Sequence, residues 1–189
     1  MAILRGTYNR GRRVCRWSWL LCLAVLVQQT HAQKEPTHEY KVKAAFLYNF
    51  AKFVEWPAAA FADQSAPFTI GILGKNPFGN AFAEVADKPI KGRVLRIEQY
   101  DELPARDSAQ VLFISASQKD QLPRILDRLN RASVLTISEV EGFAHKGGII
   151  NFILEGNKVR FQINPGAADR AGLHISAKLL KLSRIVSPE

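Results

Sequence analysis

Val111-Leu-Phe-Ile114 carries an apolar side chain at every position. Successive residues of a strand face opposite sides of its sheet, so this strand must be covered on both faces. The interior of a parallel α/β sheet meets that condition. Phe68-Thr-Ile-Gly-Ile-Leu73 and Val134-Leu-Thr-Ile137 have the same character, and Gly92-Arg-Val-Leu-Arg-Ile97 is another β-rich run. Helical patterns separate them. One runs from about Thr37, a helix cap, to Trp56, where Pro57 stops it. A second is expected over 78–86, opened by Asn76-Pro77. A third, 119–130, puts Leu122, Ile125, Leu126 and Leu129 on one face, and a short helical connection fits 141–146.

The last third changes pattern. Residues 149–154 and 158–163 are rich in β-branched and aromatic side chains and flank Glu155-Gly-Asn157, the signature of a hairpin. A loop or short helix at 165–171 then leads to a terminal helix, about 174–186, with Ile175, Leu179, Leu182, Ile185 and Val186 as its buried stripe. This order predicts a single α/β domain: a mixed, mostly parallel central sheet, helices on both faces, and a C-terminal β-hairpin plus helix. The first helix is apolar around more than half its circumference, broken by Lys41, Lys52 and Glu55. A surface helix shows a narrower stripe, so this one is either sandwiched in the fold or meets a partner.

The net charge of +9, from 26 basic and 17 acidic residues, is unevenly placed. Residues 1–32 hold Arg5, Arg10, Arg12, Arg13 and Arg16 and no acid, then an apolar run from Trp17 to Val27 and a polar stretch ending in Ala32. That is the pattern of a secretory signal peptide, and the run falls short of the roughly 20 residues that span a bilayer. Cleavage near Ala32 would leave 33–189 as the mature domain, exported to the periplasm. Loss of the five arginines leaves 21 basic against 17 acidic residues, a net charge of +4 without a basic stripe. Nucleic acid is therefore not an expected partner. Both cysteines, Cys15 and Cys22, leave with the leader, so the mature domain is held by packing alone.

Catalytic chemistry finds little support. His38, His145 and His174 lie in separate segments, and without cysteine a structural zinc site is not expected. Ser115-Ala-Ser117 follows a strand but lacks the Gly-x-Ser-x-Gly elbow, so it reads as a strand-end cap. Glu139 and Glu141 read as solvated loop acids. Gly74-Lys-Asn-Pro-Phe-Gly79 has the place of an anion-binding loop, but Asn80-Ala81 stands where a phosphate loop needs Lys and Ser/Thr. A plain turn is the better reading there, and a small ligand at the strand ends stays open. Arg93, Arg160, Asn164, Arg170, His174 and Lys178 lie in or beside the elements that close the sheet. They are either a site for an acidic ligand or partner loop, or a solvated basic surface. The residues alone describe an exported binding or interaction module, not an enzyme, with no cofactor.

Several stretches in order and spacing resemble the YfiR/HmsC family of bacterial periplasmic proteins. They are 39–57 (EYKVKAAFLYNFAKFVEWP), 68–79 (FTIGILGKNPFG), Gly92-Arg93, 111–115, 135–138, 147–152, 157–164 (NKVRFQIN) and 171–182 (AGLHISAKLLKL). The resemblance implies a repressor that binds the periplasmic sensor domain of an inner-membrane diguanylate cyclase, lowering cyclic-di-GMP and biofilm formation. It also implies an α/β fold and homodimers. Some relatives accompany sensor kinases or outer-membrane receptors, so the alternative is a small-ligand-binding module feeding such a sensor. By the same resemblance Arg93 is a candidate for a ligand or partner pocket, and Asn164, His174 and Lys178 are interface candidates. Better-known members carry cysteine pairs. Asp107-Ser-Ala-Gln110 stands in place of one such stretch, so redox control is not expected.

Overall fold

The computed structural model describes residues 37–105 and 108–187, and the segment read as a leader lies outside them. Helix α1 (His38–Phe53) runs directly into a short strand β1 (Val54–Glu55). The strands β2 (Phe68–Leu73), β3 (Leu95–Tyr100) and β4 (Val111–Ile114) follow. Next come α2 (Leu122–Leu129), β5 (Leu135–Ser138), β6 (Ile150–Glu155) and β7 (Lys158–Ile163). The chain ends through α3 (Pro165–Arg170), β8 (His174–Ile175), α4 (Ala177–Lys181) and β9 (Arg184–Ile185).

Seven strands form one sheet in the order β3-β2-β4-β5-β6-β7-β9. The five from β3 to β6 are parallel, β7 turns back against β6, and β9 lies parallel to β7. The mixed, mostly parallel sheet expected from the apolar runs is present. All residues of β2, β4 and β5 are buried, as strands covered on both faces must be. Alternation divides them between two cores. Val111 and Phe113 pack on the α1 side with Phe50, Phe152 and Phe161, while Leu112 and Ile114 pack on the other with Leu122, Ile125 and Leu129 of α2. Helices therefore cover opposite faces. Gly71 is required where β2 passes β3, because a Cβ there would lie 2.6 Å from the Tyr100 ring.

Four expected elements differ. The helix predicted over 78–86 is a chain of turns, with Ala81, Ala83 and Val85 each donating to the carbonyl three residues back. Gly79, at φ +52°, leaves the helical region one residue after the Asn76 side chain has capped Phe78 N–H. Phe78, Ala81, Phe82 and Val85 are buried all the same, so the apolar spacing reported burial correctly and conformation wrongly. The connection at 141–146 is likewise turns. Strand β3 begins at Leu95, since Lys91 and Gly92 have positive φ and form a tight turn closed by Ile90 and Arg93.

The terminal helix is the largest departure. It breaks into β8, α4 and β9. Ser176 stops the strand by capping Leu179 N–H, and the Ser183 hydroxyl donates to the Leu180 carbonyl and ends the helix. Ile175 and Leu179 are buried as expected, but Leu182 and Ile185 are 67% and 51% exposed. Strand β8 instead pairs with β1, Val54 opposite Ile175 and Glu55 opposite His174, fastening the C-terminal region to the end of α1.

Candidate functional site

Helix α1 buries Ala44, Leu47, Phe50 and Ala51 and leaves Tyr40, Phe46, Tyr48 and Phe53 partly exposed along its flanks. One face is core, and Val42 and Phe46 line a groove of about 490 Å³ against the hairpin. The buried face also contains Lys43, only 3% exposed. A buried ammonium must be paired, and this one meets Glu39 one turn earlier and Glu139 Oε2 at 2.6 Å. Its Nζ lies 4.7 Å from the centre of the Tyr40 ring.

Glu139 follows β5 directly, at the carboxyl end of a parallel strand, where α/β sheets place their binding groups. The Tyr40 hydroxyl donates to both its oxygens at 3.2 and 3.3 Å. Burial, then the neighbouring Glu139 charge and hydrogen bond, then Glu39, hold the Tyr40 phenol well above its ordinary value. This Glu39–Lys43–Glu139–Tyr40 cluster forms one wall of a cleft of about 840 Å³. Glu141, His145, Asn151, Glu155, Gln162 and Arg184 line the rest of its polar surface. Glu139 is not the solvated loop acid expected from the sequence: it is 17% exposed and tied to two residues of α1. The signal available in the sequence was a lysine on the apolar face of α1 with an acid four residues before it.

The predicted site residues do not converge on this cleft. The Arg93 guanidinium spans the carbonyls of Asp63, Gln64 and Ala66 at 2.9, 3.1 and 2.6 Å and lies 3.9 Å from the Phe61 ring centre. It holds the loop before β2. Within that loop, hydrogen bonds from Ser65 and Ala66, with a smaller contribution from Arg93, keep the Asp63 carboxyl below its usual range. Asn164 is fully buried: its Oδ1 caps Ala167 N–H of α3 at 2.9 Å and its Nδ2 donates to the Ala144 carbonyl at 2.8 Å. His174 and Lys178 are exposed. They meet the end of α1, His174 through its pairing with Glu55 and Lys178 with its ammonium 5.2 Å from the Phe53 ring centre.

At the loop after β2, the Ser117 hydroxyl accepts from Lys75 N–H at 2.9 Å, and a Cβ at Gly74 would meet that oxygen at 2.6 Å. The chain itself fills the place an anion would take. Ser115 caps the 3₁₀ turn Ala116–Gln121, as a strand-end serine should. Among the described residues no group of three or more His, Cys, Asp or Glu is placed to hold a metal ion.

The fold is thus an α/β sheet covered on both faces, with a polar cleft where its parallel strands end. The family model described as YfiR/HmsC-like matches residues 40–184, and the chain belongs to that family. At the level of the family this supports a periplasmic regulatory role in the context of cyclic-di-GMP, and regulators of this kind are not themselves enzymes. No curated protein matches the chain.

Proposed function

We propose that this protein is exported to the periplasm, with its leader removed near Ala32. There it binds the periplasmic sensor domain of an inner-membrane diguanylate cyclase and restrains it, lowering cyclic-di-GMP and biofilm formation. The observation that carries this reading is membership of a regulatory family across residues 40–184, nearly the whole folded domain. The partly exposed aromatic flank of α1 supports it physically, because it offers apolar area that the other described residues leave partly uncovered. A repressor that binds the inactive sensor better than the active one shifts their equilibrium by that difference in affinity. Self-association as a homodimer belongs to the same proposal.

The deciding experiment is intracellular cyclic-di-GMP in a clean deletion, complemented by exported and by leader-less versions. The expected result is a rise that only the exported version reverses. An unchanged level, or rescue by the leader-less protein, would overturn the reading. The cleft at the strand ends favours one alternative, a small-ligand-binding module that feeds a sensor kinase or receptor.

A further inference from the structure

Among the described residues the sheet ends on β3 and on β9, and the two edges differ. Strand β9 has 2 residues, whereas β3 runs 6 residues in unbroken register along β2. The Phe68 and Gly74 N–H groups donate to the Val94 and Tyr100 carbonyls, each at 2.8 Å. Even-numbered residues of this stretch therefore turn their backbone groups towards β2. Alternation turns the N–H and C=O of Leu95, Ile97 and Gln99 the other way, to the open edge. Such an edge is a template for another strand, and natural sheets blunt it with proline, a bulge or a short run. Strand β3 has none of these. Val94, at its start, is 72% exposed.

The two charges of β3 do not repel a second copy; they select a register for one. Arg96 and Glu98 stand two apart on one face, with Ile97 between them on the other. Arg96 is exposed and has no partner among the described residues. Glu98 Oε2 accepts from the Tyr100 hydroxyl at 2.6 Å, which leaves Oε1. Antiparallel pairing of β3 with itself must bring the outward-facing residues opposite one another, and registers centred on Arg96, Ile97 or Glu98 do so. The first sets Arg96 against Arg96 and the last Glu98 against Glu98, and like charges directly opposite destabilise a pair. In the register centred on Ile97, Arg96 of each copy lies opposite Glu98 of the other, Leu95 opposite Gln99, and the exposed Val94 opposite Tyr100. The outward groups of Leu95, Ile97 and Gln99 then form about six hydrogen bonds across the two-fold axis.

Lys91 and Arg93 precede β3 and Asp101 and Glu102 follow it, so the same arrangement sets basic flanks against acidic ones. These flanks contribute less, because Arg93 is committed to its own loop and the two acids share a pocket with Arg124 and Arg128. We propose that the β3 edge pairs antiparallel with β3 of a second copy, in the register centred on Ile97, joining two sheets into one. This rests on the self-association included in the proposed function and gives it a surface.

The test is sedimentation of the purified full-length chain and of two charge variants. The unsubstituted chain is expected to dimerise at micromolar concentration. Arg96→Glu makes each cross-strand pair acidic on both sides and Glu98→Arg makes it basic, so either variant alone should dissociate at least about tenfold more readily. Mixed in equal amounts, the two restore opposite charges at every pair, and the mixture should associate within a few fold of the unsubstituted chain. A variant that had merely lost its fold would not give that rescue. An unsubstituted chain that stays monomeric at ~100 μM, a dimer indifferent to Arg96→Glu, or a mixture as weak as its components would each overturn the proposal. Cyclic-di-GMP in the deletion strain reads the restraint of the cyclase and not this edge, so either reading can fail alone.

Discussion

Lys43 Nζ lies 2.6 Å from Glu139 Oε2 although the two residues are 96 positions apart, so a single ion pair joins α1 to the end of β5. The partners are unequally exposed: Lys43 is 3% and Glu139 17% accessible. Removing the acid leaves the more deeply buried charge with Glu39 as its counter-ion, and Glu139→Gln is expected to cost about 2–3 kcal/mol in urea unfolding. Lys43→Met should cost about 1–2 kcal/mol, since both abandoned carboxylates still reach water. The double variant should be less destabilised than the two single costs added together, by about 1 kcal/mol or more. Strict additivity would show that the pair does not couple α1 to the sheet.

Alkaline pH should reveal the same cluster. Tyr40 is held above the ordinary phenol value by burial and then by Glu139, and Tyr100 by burial and its hydrogen bond to Glu98. In the unfolded chain both return to about 10. Their contribution to stability is complete below that pH and is lost as pH rises beyond it, because only the unfolded chain then gains the ionised form. Tyrosinate absorbance from these two residues should therefore stay silent at about pH 11 until the protein unfolds. Tyr40→Phe should flatten the alkaline fall in stability. A Tyr40 signal that titrates in the folded state near 10 would contradict the arrangement.

What was legible in the sequence is what local pattern encodes. Val111–Ile114 announced a doubly covered strand because period-two alternation leaves both its faces apolar, and the hairpin showed itself in its flanking strands and Gly156-Asn157 turn. The α2 stripe of Leu122, Ile125 and Leu129 was equally direct. The terminal segment was not, because Ile175 and Leu179 satisfy a helical spacing and a broken chain equally well. Only the distant β1, paired with β8, decides between them. The cleft was illegible for the same reason. Glu139 acquires its role from Lys43 and Tyr40, and such a long-range approach leaves no mark on either segment beyond one charged residue on an apolar helix face.

The four residues singled out from sequence should separate by experiment into two kinds. Asn164 and Arg93 serve the chain's own backbone. Asn164→Ala removes a helix cap and strands the Ala144 carbonyl, and should cost about 2–4 kcal/mol. Asn164→Asp keeps a capping oxygen but sets its second carboxylate oxygen against the Ala144 carbonyl in a fully buried site, so it should cost at least as much in thermal or urea unfolding. Arg93→Lys keeps the charge but not the planar guanidinium that lies over the Phe61 ring and brings its Nη1 to three carbonyls, and should open the Asp63–Ala66 loop to proteolysis. His174 and Lys178 are exposed beside the end of α1, and His174→Ala or Lys178→Glu should change stability by no more than about 0.5 kcal/mol. If this surface meets the cyclase sensor, those two variants should nevertheless raise cyclic-di-GMP in the complemented deletion at unchanged periplasmic abundance. Full repression by both would remove them from the interface, whereas lost repression by the Asn164 and Arg93 variants should track their lowered abundance.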